Sequence, residues 1–243
     1  MYQAPRIALV LSLAAAGTVI GEPMGIESRS YQWYAPDTER FQALKLPGNA
    51  KAGQADYEAL CATCHLASGA GLPDGSVPRL AGQHSTVLVK QLADIRSGLR
   101  DNPTMYPYAK RLASAQALAD VAAYIETLCV PRDTGRYEGP EAASLVAYGK
   151  MLYDKDCVQC HRANGDGAKE RLYPLIAGQH YAYLLRQMRQ IRDGTRRNSH
   201  PDMVRVIARY DNAQLIAIAA YQAALTSSLR QWSVKPRFCQ PSS

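Results

Sequence analysis

The chain has 243 residues, 47% apolar and 20% charged, with 28 Lys and Arg against 21 Asp and Glu for a formal net charge of +7. That balance belongs to ordinary folded protein and excludes a disordered low-complexity chain or a collagen-like repeat, while the length suits two small domains. Domains of under about 100 residues bury little surface, so each is expected to carry a staple such as a metal group or a disulfide.

Behind Arg6, residues 7–16 form an apolar run ending in Ala14, Ala15 and Ala16, the outline of a secretory signal peptide over residues 1–21. From Ile7 to Gly21 there are only fifteen residues, short of the ~20 that a spanning helix needs. The expected compartment is therefore the periplasm, with membrane association as the alternative if the signal stays uncleaved. Residues 22–47 form an extension carrying Tyr31, Trp33, Tyr34 and Phe41.

From there the chain repeats itself at an offset of 96. Cys61-Ala62-Thr63-Cys64-His65 returns as Cys157-Val158-Gln159-Cys160-His161, and Leu80-Ala81-Gly82-Gln83-His84 as Ile176-Ala177-Gly178-Gln179-His180. Gly53, Tyr57, Pro78, Gly98, Arg100 and Asn102 reappear as Gly149, Tyr153, Pro174, Gly194, Arg196 and Asn198. Such agreement marks duplication of a whole domain. The expected units are domain 1 over 48–132, a linker over 133–140, domain 2 over 141–226 and a tail over 227–243.

Each copy reads as helices joined by irregular loops, which makes the fold class all-α. A first helix runs into the cysteine motif, with Gly53, Tyr57 and Cys61 on one face. A second follows His84, where Leu88, Leu92, Ile95 and Leu99 make an apolar stripe that recurs as Leu184, Met188 and Ile191. Gly98 and Gly194 are its expected C-caps. A third begins near Ser114 in one copy and Asp211 in the other.

The chemistry sits in the two Cys-x-x-Cys-His motifs. Two thiols on one helical turn reach the two vinyl groups of a haem, and the adjacent His meets the iron. A structural zinc site would need a second thiol or His pair within the same domain, and neither copy supplies that spacing.

On these residues the chain resembles the class I c-type cytochromes, and within them the dihaem cytochrome c4 group. The resemblance covers residues 50–226 and rests on Gly-x-x-x-Tyr-x-x-x-Cys-x-x-Cys-His, Pro-x-x-Ala-Gly-Gln-His, Gly-x-Arg-x-Asn, a downstream Met and a closing helix with an aromatic residue. It implies two covalently bound haem c groups, attached through Cys61 and Cys64 and through Cys157 and Cys160. The proximal iron ligands are then His65 and His161, and a Met is expected on the other side. Met188 and Met151 align with Leu92 and Ala55 and read as packing residues, which leaves Met105 and Met203, each following Pro-x in a loop. His84 and His180 read as packing positions, and His200 as a surface or haem-edge residue.

The resemblance also implies that the carbonyls of Pro78 and Pro174 accept from the proximal histidines, and that the first and last helices cross with Gly53 against Tyr124 and Gly149 against Tyr221. Arg100 and Arg196 are candidates for pairing with haem propionates.

With both axial positions filled, the iron offers no place for substrate, so the expected function is single-electron transfer between redox partners rather than catalysis. The alternatives are a permanent electron-accepting subunit of a larger dehydrogenase, oxidase or reductase complex, with a membrane complex as donor or acceptor, and an enzyme in its own right. Residues 51–135 balance 8 basic against 8 acidic groups, whereas residues 136–243 hold 16 against 9. Arg186, Arg189, Arg192, Arg196 and Arg197 cluster around the second helix of domain 2. An acidic redox partner fits that excess; nucleic acid does not fit an exported haem protein. Cys129 and Cys239 belong to no haem motif and form a candidate disulfide.

Overall fold

The computed structural model describes residues 39–131 and 135–227. The expected signal, Tyr31, Trp33, Tyr34 and Cys239 lie outside the described residues. Domain 1 comprises α1 (Glu39–Lys45), α2 (Ala50–Leu60), α3 (Ala62–His65), α4 (Ser85–Arg96), α5 (Tyr106–Arg111) and α6 (Ala115–Thr127). Domain 2 comprises α7 (Ala142–Asp156), α8 (Val158–His161), a 3₁₀ turn (Lys169–Arg171), α9 (Tyr181–Arg192), α10 (Pro201–Ile207) and α11 (Asn212–Ala224). Among the described residues the only bridge of β type is the isolated pair Ala168 and Tyr173, and no helix there is long and apolar enough to cross a membrane.

Short polar side chains start the long helices by satisfying backbone N–H groups that a first turn leaves without partners. Asn49 accepts from Lys51 and Ala52, Ser114 from Ala117, and Asp211 forms a capping box with Gln214. Each core then forms where the closing helix crosses the entering one and the apolar stripe of the middle helix covers both. Leu88, Val89, Leu118, Val121 and Ile125 are buried in domain 1, and Leu184, Met188, Ile191, Leu215 and Ile218 in domain 2.

Glycine is required at the crossings. A Cβ on Gly53 would lie 1.9 Å from the Asp120 carbonyl oxygen, and one on Gly149 would lie 1.9 Å from that of Ala217. The aromatic contact is made by the tyrosine one turn later: Tyr57 meets Tyr124 at 5.3 Å and Tyr153 meets Tyr221 at 5.2 Å between ring centroids. In domain 1, therefore, Gly53 rests on the backbone at Asp120 and Val121 rather than on Tyr124. Met151, expected to pack, is 69% exposed on α7, because its helix turns that face to solvent.

Part of the N-terminal extension joins domain 1. Helix α1 packs on α4 and α6, with Ala43 buried, Glu39 paired to Arg96 at 2.8 Å and Arg40 to Asp94 at 3.6 Å. Asp94 also pairs with Lys90 at 2.8 Å and accepts from Asn198 of domain 2 at 2.8 Å. Burial pulls the Lys90 amine well below its ordinary pKa, and Asp94 opposes that shift.

The repeated Gln-His pairs lie where the domains meet. Gln83 donates to and accepts from the Leu175 backbone, both at 2.9 Å, and Gln179 does the same to Arg79, again at 2.9 Å. His84 Nε2 donates to the Asp166 carbonyl at 2.7 Å, and His180 Nε2 to the Ala70 carbonyl at 2.8 Å. Arg100 bonds Gln91 at 2.9 Å and Gln187 at 3.0 Å, while Arg196 bonds Gln187 at 2.8 Å and Gln91 at 3.1 Å. Every one of these contacts recurs with the domains exchanged, the mark of an isologous, twofold-like interface.

This interface changes the reading of the arginines on α9. Arg186 reaches across to the Gly75 carbonyl at 2.7 Å, Arg192 is tied to Asp193 and Asn212, and Arg196 belongs to the glutamine network. With Arg189, all are half-buried, and only Arg197 of the cluster is exposed, so they do not make a solvated docking stripe.

Candidate haem sites

Each cysteine motif lies on a break between two helices. Cys61 N–H ends α2 by bonding Tyr57 O at 2.8 Å, and its own carbonyl accepts from Cys64 at 3.2 Å and His65 at 2.9 Å. Cys157 repeats this with Tyr153, Cys160 and His161 at the same three distances. The two thiols of a motif thus share one turn, with the histidine directly after them. Burial pushes the Cys61 thiol up to about 11 and the Cys157 thiol up to about 12, the opposite of the lowered pKa that marks a redox-active thiol pair.

The residue after each histidine has positive φ with extended ψ, Leu66 at 65° and 156° and Arg162 at 63° and 163°, a conformation that costs a non-glycine residue roughly 1–3 kcal/mol. A buried tyrosine holds the turn: Tyr57 donates to the Leu66 carbonyl and Tyr153 to the Arg162 carbonyl, both at 2.7 Å. The chain then loops back so that a proline carbonyl meets the histidine. His65 Nδ1 donates to Pro78 O at 2.9 Å, and His161 Nδ1 to Pro174 O at 3.3 Å. Nε2 is thereby left for a metal, and burial lowers both histidine pKa values, which favours the neutral imidazole that a metal binds.

Met105 is the N-cap residue of α5, and Met203 lies within α10 rather than in a loop, because Pro201 starts that helix two residues earlier. Both are half-buried. His200 caps α10, its Nδ1 accepting from Asp202 N–H at 3.1 Å. His65, Met105, His161 and Met203 line one cavity of about 1150 Å³ that runs through both domains. Its wall carries all four motif cysteines, Pro78, Pro174, Arg100 and Arg196, with apolar cover from Leu92, Ile95, Met188 and Ile191. Paired thiols, one imidazole and one thioether per domain around an apolar slot are the donor set that haem c requires. The residues present fit that group.

The glutamines at 83, 91, 179 and 187 and the tyrosine hydroxyls were not singled out as site residues in the sequence. Their signal was present: Gln91 and Gln187 recur at matched positions of α4 and α9, and Gln83 and Gln179 in the matched turns before those helices.

Residues 48–125 match the family model described as cytochrome C oxidase, cbb3-type, subunit III, and residues 146–225 match that for cytochrome c. The chain is 34% identical over 184 residues to a cytochrome c4 of Pseudomonas aeruginosa, an alignment covering 72% of this chain and 87% of that protein. It is 37% identical to a protein of Stutzerimonas stutzeri named thiosulfate dehydrogenase electron acceptor, over 67% of this chain and 77% of the relative. The crystal structure of reduced recombinant cytochrome c4 from Pseudomonas stutzeri superposes with a TM-score of 0.65 at 31% identity, covering 74% of this chain and 100% of that one. With two matched cytochrome domains, a helical fold and a donor set for haem in each half, the chain belongs to the dihaem class I c-type cytochromes of the cytochrome c4 group, electron carriers rather than catalysts.

Proposed function

We propose that the protein works in the periplasm, holds two haem c groups through thioether bonds at Cys61, Cys64, Cys157 and Cys160, and ligates them with His65 and Met105 and with His161 and Met203. The haems supply reversible one-electron iron chemistry. The polypeptide supplies ligands at fixed positions, keeps water from an apolar slot and holds Nδ1 of each proximal histidine with a proline carbonyl. The observation that carries this reading is the meeting of His, Met and both cysteines of each repeat on one cavity wall. The name of the Stutzerimonas stutzeri relative favours a dehydrogenase as the class of donor.

The docking surface for an acidic partner is assigned to the mouth of the domain 2 site rather than to α9. Arg171, Arg205 and Arg209 are exposed there, and Arg205 and Arg209 line the cavity. Around Met105 the position matching Arg205 is Pro107, flanked by the exposed Tyr106 and Tyr108, while Lys110 and Arg111 are exposed at the end of α5. Electron exchange with the hexacyanoferrate anion should slow steeply as ionic strength rises, because attraction is screened over a Debye length of ~8 Å at physiological salt. The double substitution Arg171→Gln and Arg205→Gln should slow it severalfold at low salt and little at high salt. Rates indifferent to both changes would rule out docking at this rim.

Cys129 is disulfide-bonded, and its proposed partner is Cys239, outside the described residues. Mass spectrometry of the unreduced, protease-digested protein should find a peptide joining the two. Removing the bond should cost about 2–4 kcal/mol, since it closes a long loop. Alkylation of both residues without prior reduction would refute the pairing.

A further inference from the structure

The walls of the two sites are largely copies of each other, and two of the exceptions carry buried charge. Position 79 is Arg, and its repeat equivalent at 175 is Leu, with relative exposures of 2% and 1%. Their backbones are held identically by Gln179 and Gln83. Each follows the proline that accepts from the proximal histidine. Position 60 is Leu, and its equivalent at 156 is Asp, each directly before the first cysteine of its motif. The Asp156 side chain is 16% exposed. All four residues line the cavity. A buried cation therefore distinguishes the first site, and a largely buried anion the second.

We infer that the Arg79/Leu175 and Leu60/Asp156 differences place the reduction potential of domain 1 above that of domain 2, so that electrons enter at domain 2 and leave from domain 1. This rests on one haem per domain. Oxidation of an iron adds one positive charge to its site. A nearby cation opposes that addition and a nearby anion favours it, more strongly where solvent is excluded. Whatever anion the Arg79 guanidinium meets, a haem propionate included, removing the guanidinium leaves that anion uncompensated. The sign of its effect does not depend on its partner.

Opposing contributions are weaker. Arg205 and Arg209 of domain 2 are 76% and 58% exposed and paired with Asp202 and Asp156, so solvent screens them. Lys90 and Arg186 are repeat equivalents, each reaching into the other domain, and the Arg100 and Arg196 pair is likewise symmetric. Asp94, whose equivalent is Gln190, is a buried carboxylate of domain 1 alone, but Lys90 at 2.8 Å and Arg40 at 3.6 Å compensate it, and it lies off the cavity wall. The shorter His65 contact to its proline would stabilise the oxidised state of domain 1. That effect redistributes a fraction of a proton's charge, whereas Arg79 places a whole one and Asp156 one that its exposed partner Arg209 offsets only in part. In the exchange itself one electron leaves the second site, which gains one unit of positive charge, and arrives at the first, which loses one; no bond or proton changes place.

Spectroelectrochemical titration of the full holoprotein tests this. It should show two one-electron steps. Arg79→Leu should lower the upper step and leave the lower in place, with Arg79→Lys restoring it. Asp156→Asn should raise the lower step alone. Each shift should be on the order of tenfold in the equilibrium between the domains, ~59 mV for one electron. Movement of the lower step by Arg79→Leu, or of the upper by Asp156→Asn, would reverse the order and overturn the proposal, as would steps that neither variant moves. Asp156→Asn decides the matter if Arg79→Leu does not fold. A titration accounting for only one electron per chain would overturn the two-haem reading beneath it.

Discussion

Replacing Met105 with His should remove about half of the weak near-infrared charge-transfer band that marks a thioether on ferric haem, and Met203→His should remove the other half. Both residues line the cavity that holds His65 and His161, and each lies at or near the start of a short helix. A second imidazole also lowers the reduction potential relative to Met ligation, so each variant should drop one step of the titration and leave the other. Met105→Ala and Met203→Ala should go further. Each should leave one iron open, so that the reduced protein binds about one carbon monoxide per chain where the parent binds none. A variant that kept the whole band would show that its methionine is not the ligand. His200 is an unsuitable substitute ligand for Met203 as folded, because its Nδ1 is committed to the Asp202 N–H.

Gly149→Ala should be the most damaging small substitution in domain 2, and Gly53→Ala its counterpart in domain 1. The added methyl would sit 1.9 Å from a carbonyl oxygen of the crossing helix in each case, and backbone cannot swing away as a side chain can. Overpacking of this kind costs roughly 3 kcal/mol or more, which is ~12 °C or more in Tm for a domain of this size. The control is Gly98→Ala. Nothing lies within 4 Å of a Cβ there, and the only cost is its φ of +77°, so it should lose about 1–2 kcal/mol. Thermal unfolding of the three holoproteins by circular dichroism would check the ranking. Equal losses at Gly98 and Gly149 would mean that the helix crossing is looser than described.

These two sets of results probe features that were legible in the chain to different degrees. The cysteine motifs needed no structure, because covalent attachment depends on residues within one helical turn. The helix starts at Ser114 and Asp211 and the stripes of α4 and α9 were equally local. The glycine at each crossing was visible as a repeated residue four positions before a tyrosine, but its contact was misplaced by one turn in domain 1. Helix register across a crossing depends on how two surfaces interlock, which periodicity within one helix does not contain.

What the sequence by itself determined was the duplicated helical fold and the uneven charge between its halves, and it supplied the proposed donor set of each half, all of which follow from short segments of chain. Tertiary structure alone decided what the repeated polar residues face. Gln83, His84, Arg100 and their equivalents close the contact between domains, where Arg186 and Arg196 are also spent, while Arg192 is tied within domain 2. It likewise decided that Met151 is exposed and Met203 helical, and that Arg79, unremarkable in sequence, lies buried beside one site and Asp156 half-buried beside the other. The physical reason is common to all of them: burial and partnership are properties of surfaces brought together by chain segments far apart, and no window along the chain records which surfaces will meet.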